Sequence, residues 1–182
     1  MKRVLREKAA DLVKGLSKEE RDEKSLAICG MLLKSRYFSG CGAVFAYSPT
    51  AYEADISDIL KEALNKGKTL ALPVSYPDGK MCFIRVYDLA SLVKGRFGIM
   101  EPPSGGEELF PCGNDLIIVP GVAFDTGKNR LGHGMGFYDR YFFKRPGGFK
   151  IGVAYGVQVF ESIPHDKNDV KMDFLLTENG FI

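Results

Sequence analysis

Leu116-Ile-Ile-Val-Pro-Gly121-Val-Ala-Phe-Asp125-Thr-Gly127-Lys128-Asn-Arg130-Leu-Gly132-His133-Gly134-Met135-Gly136-Phe137-Tyr138-Asp139-Arg140 passes directly from an apolar run into a glycine-rich stretch. The run Leu116–Val119 reads as a buried strand, so the glycines stand where a strand ends and a helix begins. Open α/β sheets bind ligands at that junction. Glycines at alternate positions let the backbone approach a bulky anion and aim successive N–H groups at it, while Lys128, Arg130 and Arg140 add fixed positive charge. The stretch predicts a phosphate site. A glycine-rich turn that holds no ligand is the alternative, since such loops are common between strands and helices.

Two familiar nucleotide motifs do not fit. A dinucleotide fingerprint requires Gly-x-Gly-x-x-Gly, whereas Gly132, Gly134 and Gly136 are evenly spaced. A Walker loop requires four residues between its glycines and then Lys-Ser or Lys-Thr; here five separate Gly121 from Gly127, and Lys128-Asn129 follows.

The elements around this stretch alternate. Residues 2–14 carry Leu5, Ala9 and Leu12 at helical spacing among Lys2, Arg3, Arg6, Lys8 and Lys14, and Gly15 closes the pattern. Ser17-Lys-Glu-Glu20 is a capping box that opens a second helix to about residue 35, and the two helices are expected to pair antiparallel. Ala43–Tyr47 reads as a strand, Asp55 as the cap of a helix stopped by Gly67, and residues 69–73 as a strand parallel to the first through a right-handed crossover. Met81–Val86 is a strand reached through the Pro77-Asp-Gly79 turn, and residues 95–114 read as loop. After the strand at 115–119 come a helix from about Gly136 to Lys144 and strands at 150–155 and 174–177. This series predicts an α/β fold, a three-layer sandwich around a mainly parallel sheet with helices on both faces.

At 182 residues and 45% hydrophobic, the chain is expected to form one domain spanning 1–182. Its 25 basic and 23 acidic residues nearly balance, which argues against a polyelectrolyte partner. Cys29, Cys41, Cys82 and Cys112 form no Cys-x-x-Cys pair and read as ordinary residues of a reducing compartment. The charged N-terminus precedes no apolar segment of a secretory signal, and no run reaches the roughly 18 apolar residues of a membrane helix, so a cytoplasmic protein is expected.

Four ordered motifs together resemble the 5-formyltetrahydrofolate cyclo-ligase family, also called 5,10-methenyltetrahydrofolate synthetases. They are Lys2-x-x-Leu5-Arg6; Phe97-Gly-Ile-Met-Glu101-Pro102; Asp125 with Arg130-Leu-Gly132, Gly134, Gly136 and Tyr138-Asp139-Arg140; and His165-Asp with Met172-Asp173. The resemblance runs from residue 2 to about residue 178. It implies conversion of ATP and 5-formyltetrahydrofolate to 5,10-methenyltetrahydrofolate, ADP and phosphate, with magnesium. The implied partners are these small molecules, with no nucleic acid and no membrane, and the chain is expected to be a monomer.

The same resemblance assigns roles. Lys2 and Arg6, four apart on one helix face, would contact ATP; periodicity alone would give a solvated basic face. Arg130, Gly132, His133, Gly134, Met135, Gly136, Phe137 and Tyr138 would form the ATP loop, with Arg130 catalytic. Met135 and His133 depart from the residues common at their positions, glycine or lysine and tyrosine or arginine respectively. Asp139 and Asp173 would ligate magnesium, against the alternative of salt bridges to Arg140 or Lys171. Glu53 would contact folate near the reacting formyl group as a second catalytic residue, and Ser48 would line the pterin side. Tyr52, Phe97 and Tyr155 are candidates for ring stacking, and Asp125 and Glu101 for shaping the pocket. Competing functions are a related enzyme acting on sugar phosphates or coenzyme A esters without ATP, and a nucleotide- or RNA-binding module using its basic first helix.

Overall fold

The side chains of the Leu116–Val119 run alternate between two cores: Leu116 and Ile118 join one, Ile117 and Val119 the other. A strand covered on both faces lies inside a layered sheet, and its neighbours follow the same period of two. The structure, a computed structural model, describes residues 1–182. Its helices are α1 (Lys2–Lys14), α2 (Lys18–Leu33), α3 (Arg36–Ser39), α4 (Ser57–Asn65) and α5 (Phe137–Lys144). Its strands are β1 (Ala43–Phe45), β2 (Thr69–Ser75), β3 (Met81–Val86), β4 (Val93–Lys94), β5 (Met100–Glu101), β6 (Glu108–Leu109), β7 (Leu116–Pro120), β8 (Ala123–Asp125), β9 (Arg130–Leu131), β10 (Phe149–Val153), β11 (Val159–Phe160), β12 (Phe174–Thr177) and β13 (Gly180–Phe181).

Eight strands form the main sheet in the order β13-β12-β10-β7-β1-β2-β3-β6. The five from β12 to β2 are parallel, and the flanking strands β13, β3 and β6 pair antiparallel. On one face Ile28 and Leu32 of α2, Phe38 of α3 and Ile59 of α4 pack on Val44, Leu70 and Ile118. On the other, Tyr141 and Phe142 of α5 pack on Phe45, Phe83 and Ile117. The result is the expected three-layer sandwich. Because β2 lies on one side of β1 and β7 on the other, connections leave in opposite directions there and open a crevice at the carboxyl ends of the strands.

Local rules held where they are short-range. Ser17 Oγ accepts from the Glu20 N–H at 3.1 Å, and Glu20 Oε2 accepts from the Ser17 N–H at 2.7 Å. Gly67 ends α4 with φ +67°, a conformation that favours glycine. Four expectations need correction. Helix α1 does not pair with α2; its Ala9 is buried with Ala123, Leu131 and Ile163, beside a small sheet ordered β11-β8-β9. Asp55 is not the cap of α4, which begins after Ile56, although Asp55 Oδ1 accepts from the Ser57 N–H at 2.9 Å. Residues 95–114 are not all loop, since β5 pairs with β4 and β6 pairs with β3. The glycine stretch itself contains β8 and β9, joined by a turn in which Lys128 adopts φ +66°.

Three of the four cysteines are buried, Cys112 is exposed, and all are free. No helix is long and apolar enough to cross a membrane.

Candidate active site

A cavity of about 640 Å³ opens at the crevice between β1, β2 and β7. Its floor comes from the carboxyl ends of those strands, through Tyr47, Ser48, Pro73, Ser75 and Pro120. One wall is Lys2 and Arg6 of α1 with the segment 130–139, and the opposite wall is the β4–β5 hairpin with Phe97, Ile99, Met100 and Glu101. Every residue assigned an ATP contact in the sequence lines this cavity, and so do Glu53 and Ser48, assigned to folate: Lys2, Arg6, Arg130, Gly132, His133, Gly134, Met135, Gly136, Phe137 and Tyr138 complete the set. Asp139 does too.

The even glycine spacing has a physical cause, because each of the three glycines faces a guanidinium. A Cβ on Gly132 would lie 2.8 Å from Arg130 Nη1, one on Gly134 3.4 Å from Arg6 Nη2, and one on Gly136 2.9 Å from Arg140 Nη1. Gly134 and Gly136 also have φ of +102° and +64°. Arg6 Nε donates to the Gly132 carbonyl at 2.7 Å, which ties α1 to the loop.

Arg130 is the centre of the wall. Only 6% exposed, it donates through Nη2 to Asp139 Oδ2 at 2.9 Å and stacks over the Tyr138 ring at 5.3 Å. Its Nε is buried and has no acceptor. A buried guanidinium donor without a partner is costly, and here it accompanies an ion pair that holds the Arg130 charge on the cavity lining. Burial pushes the Tyr138 phenol well up, with the Glu53 carboxylate adding to the shift, so Tyr138 stays neutral.

Asp173 is not brought to this site. Its Oδ2 accepts from the Lys150 N–H at 2.7 Å, where β10 and β12 begin, so it sits at the amino end of the sheet while the cavity lies at the carboxyl end. The acid that joins Asp139 is one the sequence reading missed, Asp169. It lines the cavity, and with Asp139 it also faces an adjoining groove. The Val170 N–H donates to Asp139 Oδ1 at 3.3 Å, which couples the two segments. Lys2 Nζ donates to Asp166 Oδ2 at 2.6 Å and to Asp169 Oδ2 at 2.7 Å. Those bonds, Asp166 first, raise the Lys2 ammonium above its ordinary value. Burial alone would raise the Asp169 carboxyl, but the bonds from Lys2 and the Asp166 N–H outweigh it and hold Asp169 below the usual range. The signal in sequence was a surplus of carboxylates in 166–173, which spacing alone could not rank.

Other candidates divide. Phe97 lines the cavity and meets Phe137 edge-on at 6.4 Å. Tyr155 and Tyr52 do not line it: Tyr155 is buried beneath, and Tyr52 lies outside under Arg21 at 5.6 Å. Glu101 lines the cavity at 8% exposure, and burial raises its carboxyl. Asp125 is structural. Burial would raise it, yet bonds from the Asn129 side chain, the Asn129 N–H and the Ile163 N–H together hold it low and fix the β8–β9 turn.

A family model described as the 5-formyltetrahydrofolate cyclo-ligase family matches residues 1–178. The chain is 31% identical to the probable 5-formyltetrahydrofolate cyclo-ligase of Caenorhabditis elegans, covering 100% of this chain and 95% of that protein. It is 28% identical to the 5-formyltetrahydrofolate cyclo-ligase of Mus musculus, over 98% of this chain and 94% of the other. Among solved structures, 5,10-methenyltetrahydrofolate synthetase of Aquifex aeolicus superposes with a TM-score of 0.86 at 41% identity, covering 99% of this chain and 91% of that one. The 5,10-methenyltetrahydrofolate synthetase of Mycoplasma pneumoniae, at 23% identity and a TM-score of 0.77, shares the fold.

Proposed function

This chain belongs to the 5-formyltetrahydrofolate cyclo-ligase family, a family of ligases, and on that premise we propose that it closes 5-formyltetrahydrofolate to 5,10-methenyltetrahydrofolate with ATP and magnesium. The observation that carries the ATP half is the convergence of Lys2, Arg6 and Arg130 on one cavity beside a glycine strip shaped around guanidinium groups.

A formamide oxygen is a poor leaving group, so ring closure requires that oxygen to be made leavable. Transfer of the γ-phosphoryl group to it gives an iminium phosphate; N10 attacks the formyl carbon and gives up its proton, and phosphate departs with the oxygen as the C–O bond breaks. The protein's part is positioning and charge neutralisation. In this scheme Lys2, Arg6 and Arg130 take the phosphate charge, with backbone N–H groups of 132–136 close to the same oxygens. Glu53 and Ser48, at the carboxyl end of β1, face the folate, and Glu53 holds the reacting end in line.

Magnesium would neutralise phosphate charge during transfer. Asp139 and Asp169 fit that ion: both are carboxylates on the phosphate side of the cavity, and magnesium takes one or two such groups with phosphate oxygens and water. Asp173 does not reach. Two of the basic residues of α1 are turned into the cavity, so no observation favours the RNA-binding alternative.

The test is the appearance of methenyltetrahydrofolate absorbance when the protein is mixed with ATP, magnesium and 5-formyltetrahydrofolate. Arg130→Ala and Asp139→Ala are expected to abolish it while circular dichroism stays native. Product formed without ATP, or none at high enzyme concentration, would sink the proposal.

A further inference from the structure

Glu53 stands on a segment between β1 and α4 that belongs to neither strand nor helix, yet three successive residues of it are pinned by buried side chains from elsewhere. Tyr155, beyond the end of β10, donates its hydroxyl to the Glu53 carbonyl at 3.1 Å. Tyr47, beyond the end of β1, donates to the Ala54 carbonyl at 2.7 Å. Ser25 Oγ of α2 accepts from the Asp55 N–H at 3.0 Å, and Cys29, one turn later on the same helix face, donates to the Asp55 carbonyl at 3.3 Å.

Two of these pins are linked, since Ser25 Oγ and Tyr155 Oη lie 3.1 Å apart. The proton directions follow from the ends of the chain. The Glu53 carbonyl only accepts, so the Tyr155 hydroxyl proton points to it; Tyr155 Oη therefore accepts from Ser25, whose own oxygen accepts from the Asp55 N–H. Each hydroxyl donates once and accepts once, and the relay closes on the two peptide groups that flank Ala54, the first of them the one that leaves Glu53. All three side chains are buried, with exposures of 1% for Tyr155, 3% for Tyr47 and 4% for Ser25.

We propose that Tyr155 and Ser25 are positioning residues for the reaction, fixing through this relay the direction in which the Glu53 carboxylate enters the cavity. The inference rests on the folate-contacting role proposed for Glu53. Apart from the relay and the Tyr47 and Cys29 pins, Glu53 is held by a turn in which its N–H donates to the Thr50 carbonyl at 3.2 Å and its own Oε2 accepts from the Thr50 N–H at 3.0 Å. That turn ties the carboxylate to its own backbone through these two bonds. Its orientation against the sheet is set by the relay and by the Tyr47 and Cys29 pins. Tyr155 itself does not line the cavity, so any effect of its hydroxyl on folate passes through the segment.

The experiment is a double-mutant cycle on the full chain, read as the dissociation constant for 5-formyltetrahydrofolate without ATP, so that variants without turnover still report. Glu53→Ala is expected to weaken binding about tenfold or more, and Tyr155→Phe, which keeps the ring and its packing, about three- to tenfold. In the double variant, Tyr155→Phe should add nothing to the Glu53→Ala loss. A role in general packing would instead give the same Tyr155→Phe penalty in both backgrounds, and that additivity, or unchanged binding in Tyr155→Phe alone, overturns the proposal while leaving Glu53 in place. Unchanged binding in Glu53→Ala overturns the Glu53 role itself, and the relay proposal with it. Thermal midpoints are read on every variant. If Tyr155→Phe does not fold, Ser25→Ala breaks the same relay without touching the ring and is put through the same cycle.

Discussion

Gly132 carries no unusual backbone angle, so its identity is explained by what lies over it. The Arg130 guanidinium is in place only because no Cβ intrudes, the nearest approach being 2.8 Å to Nη1. A methyl group at that point meets the end of a flexible side chain, but one that is 6% exposed and bonded to Asp139, so the guanidinium shifts within a confined space. Gly132→Ala is therefore expected to lower kcat/KM for ATP by about 10- to 100-fold, the cost of displacing a positioning group by a fraction of an ångström. The melting temperature should change by only a few degrees, because the shift breaks no core packing. Steady-state kinetics beside a thermal melt checks this, and a large loss of stability with normal kinetics in the folded fraction would contradict it. The sequence made the glycine spacing visible and suggested an anion. It could not show that the immediate neighbours of the glycines are the protein's own arginines, since Arg6 arrives from a helix 126 residues away.

At the level of elements, strand direction decides which carboxylates matter. Asp169 and Asp173 lie within one short segment, and composition treats them alike. The chain runs past the cavity at Asp169 and reaches the opposite end of the sheet by Asp173, where β12 begins parallel to β10. Asp173→Ala removes the side-chain acceptor of the Lys150 N–H, a bond worth about 0.5–1.5 kcal/mol, and should lower stability while kcat stays near normal. Asp169→Ala should do the reverse, raising the magnesium concentration needed for half-maximal rate with a smaller stability loss. Magnesium titrations and chemical denaturation of the two variants separate the outcomes; identical behaviour would contradict the assignment by strand direction. The parallel strands and the Ser17–Glu20 capping box were legible because their signals are local. The placement of α1 on the small sheet was not, because β8, β9 and β11 are two or three residues long and too short to show a period.

Across the whole molecule, the cavity balances charge internally. Lys2 is held by Asp166 and Asp169, and Arg130 by Asp139, while Glu53 and Glu101 add further carboxylates to the lining. The layered fold could be anticipated from the alternation of strands and helices, and most of the lining residues from the family resemblance, but this mutual pairing could not, because it joins the first turn of α1 to a loop 164 residues later. Its consequence is a coupling between ligands. ATP that drew Lys2 and Arg130 toward its phosphates would leave Asp169 and Asp139 facing the same negative charge without their cations. Magnesium at those carboxylates would remove that penalty and leave the released cations free for the phosphates. Each ligand should therefore raise the other's affinity by the same factor, as linkage requires, within the range of about 5- to 150-fold typical of coupled sites. Calorimetric titration of ATP with magnesium and with a chelator should show that difference in dissociation constant, and Asp139→Asn should shrink it by removing one carboxylate charge. Equal ATP affinity in both conditions would mean that the two ion pairs stay closed when nucleotide binds.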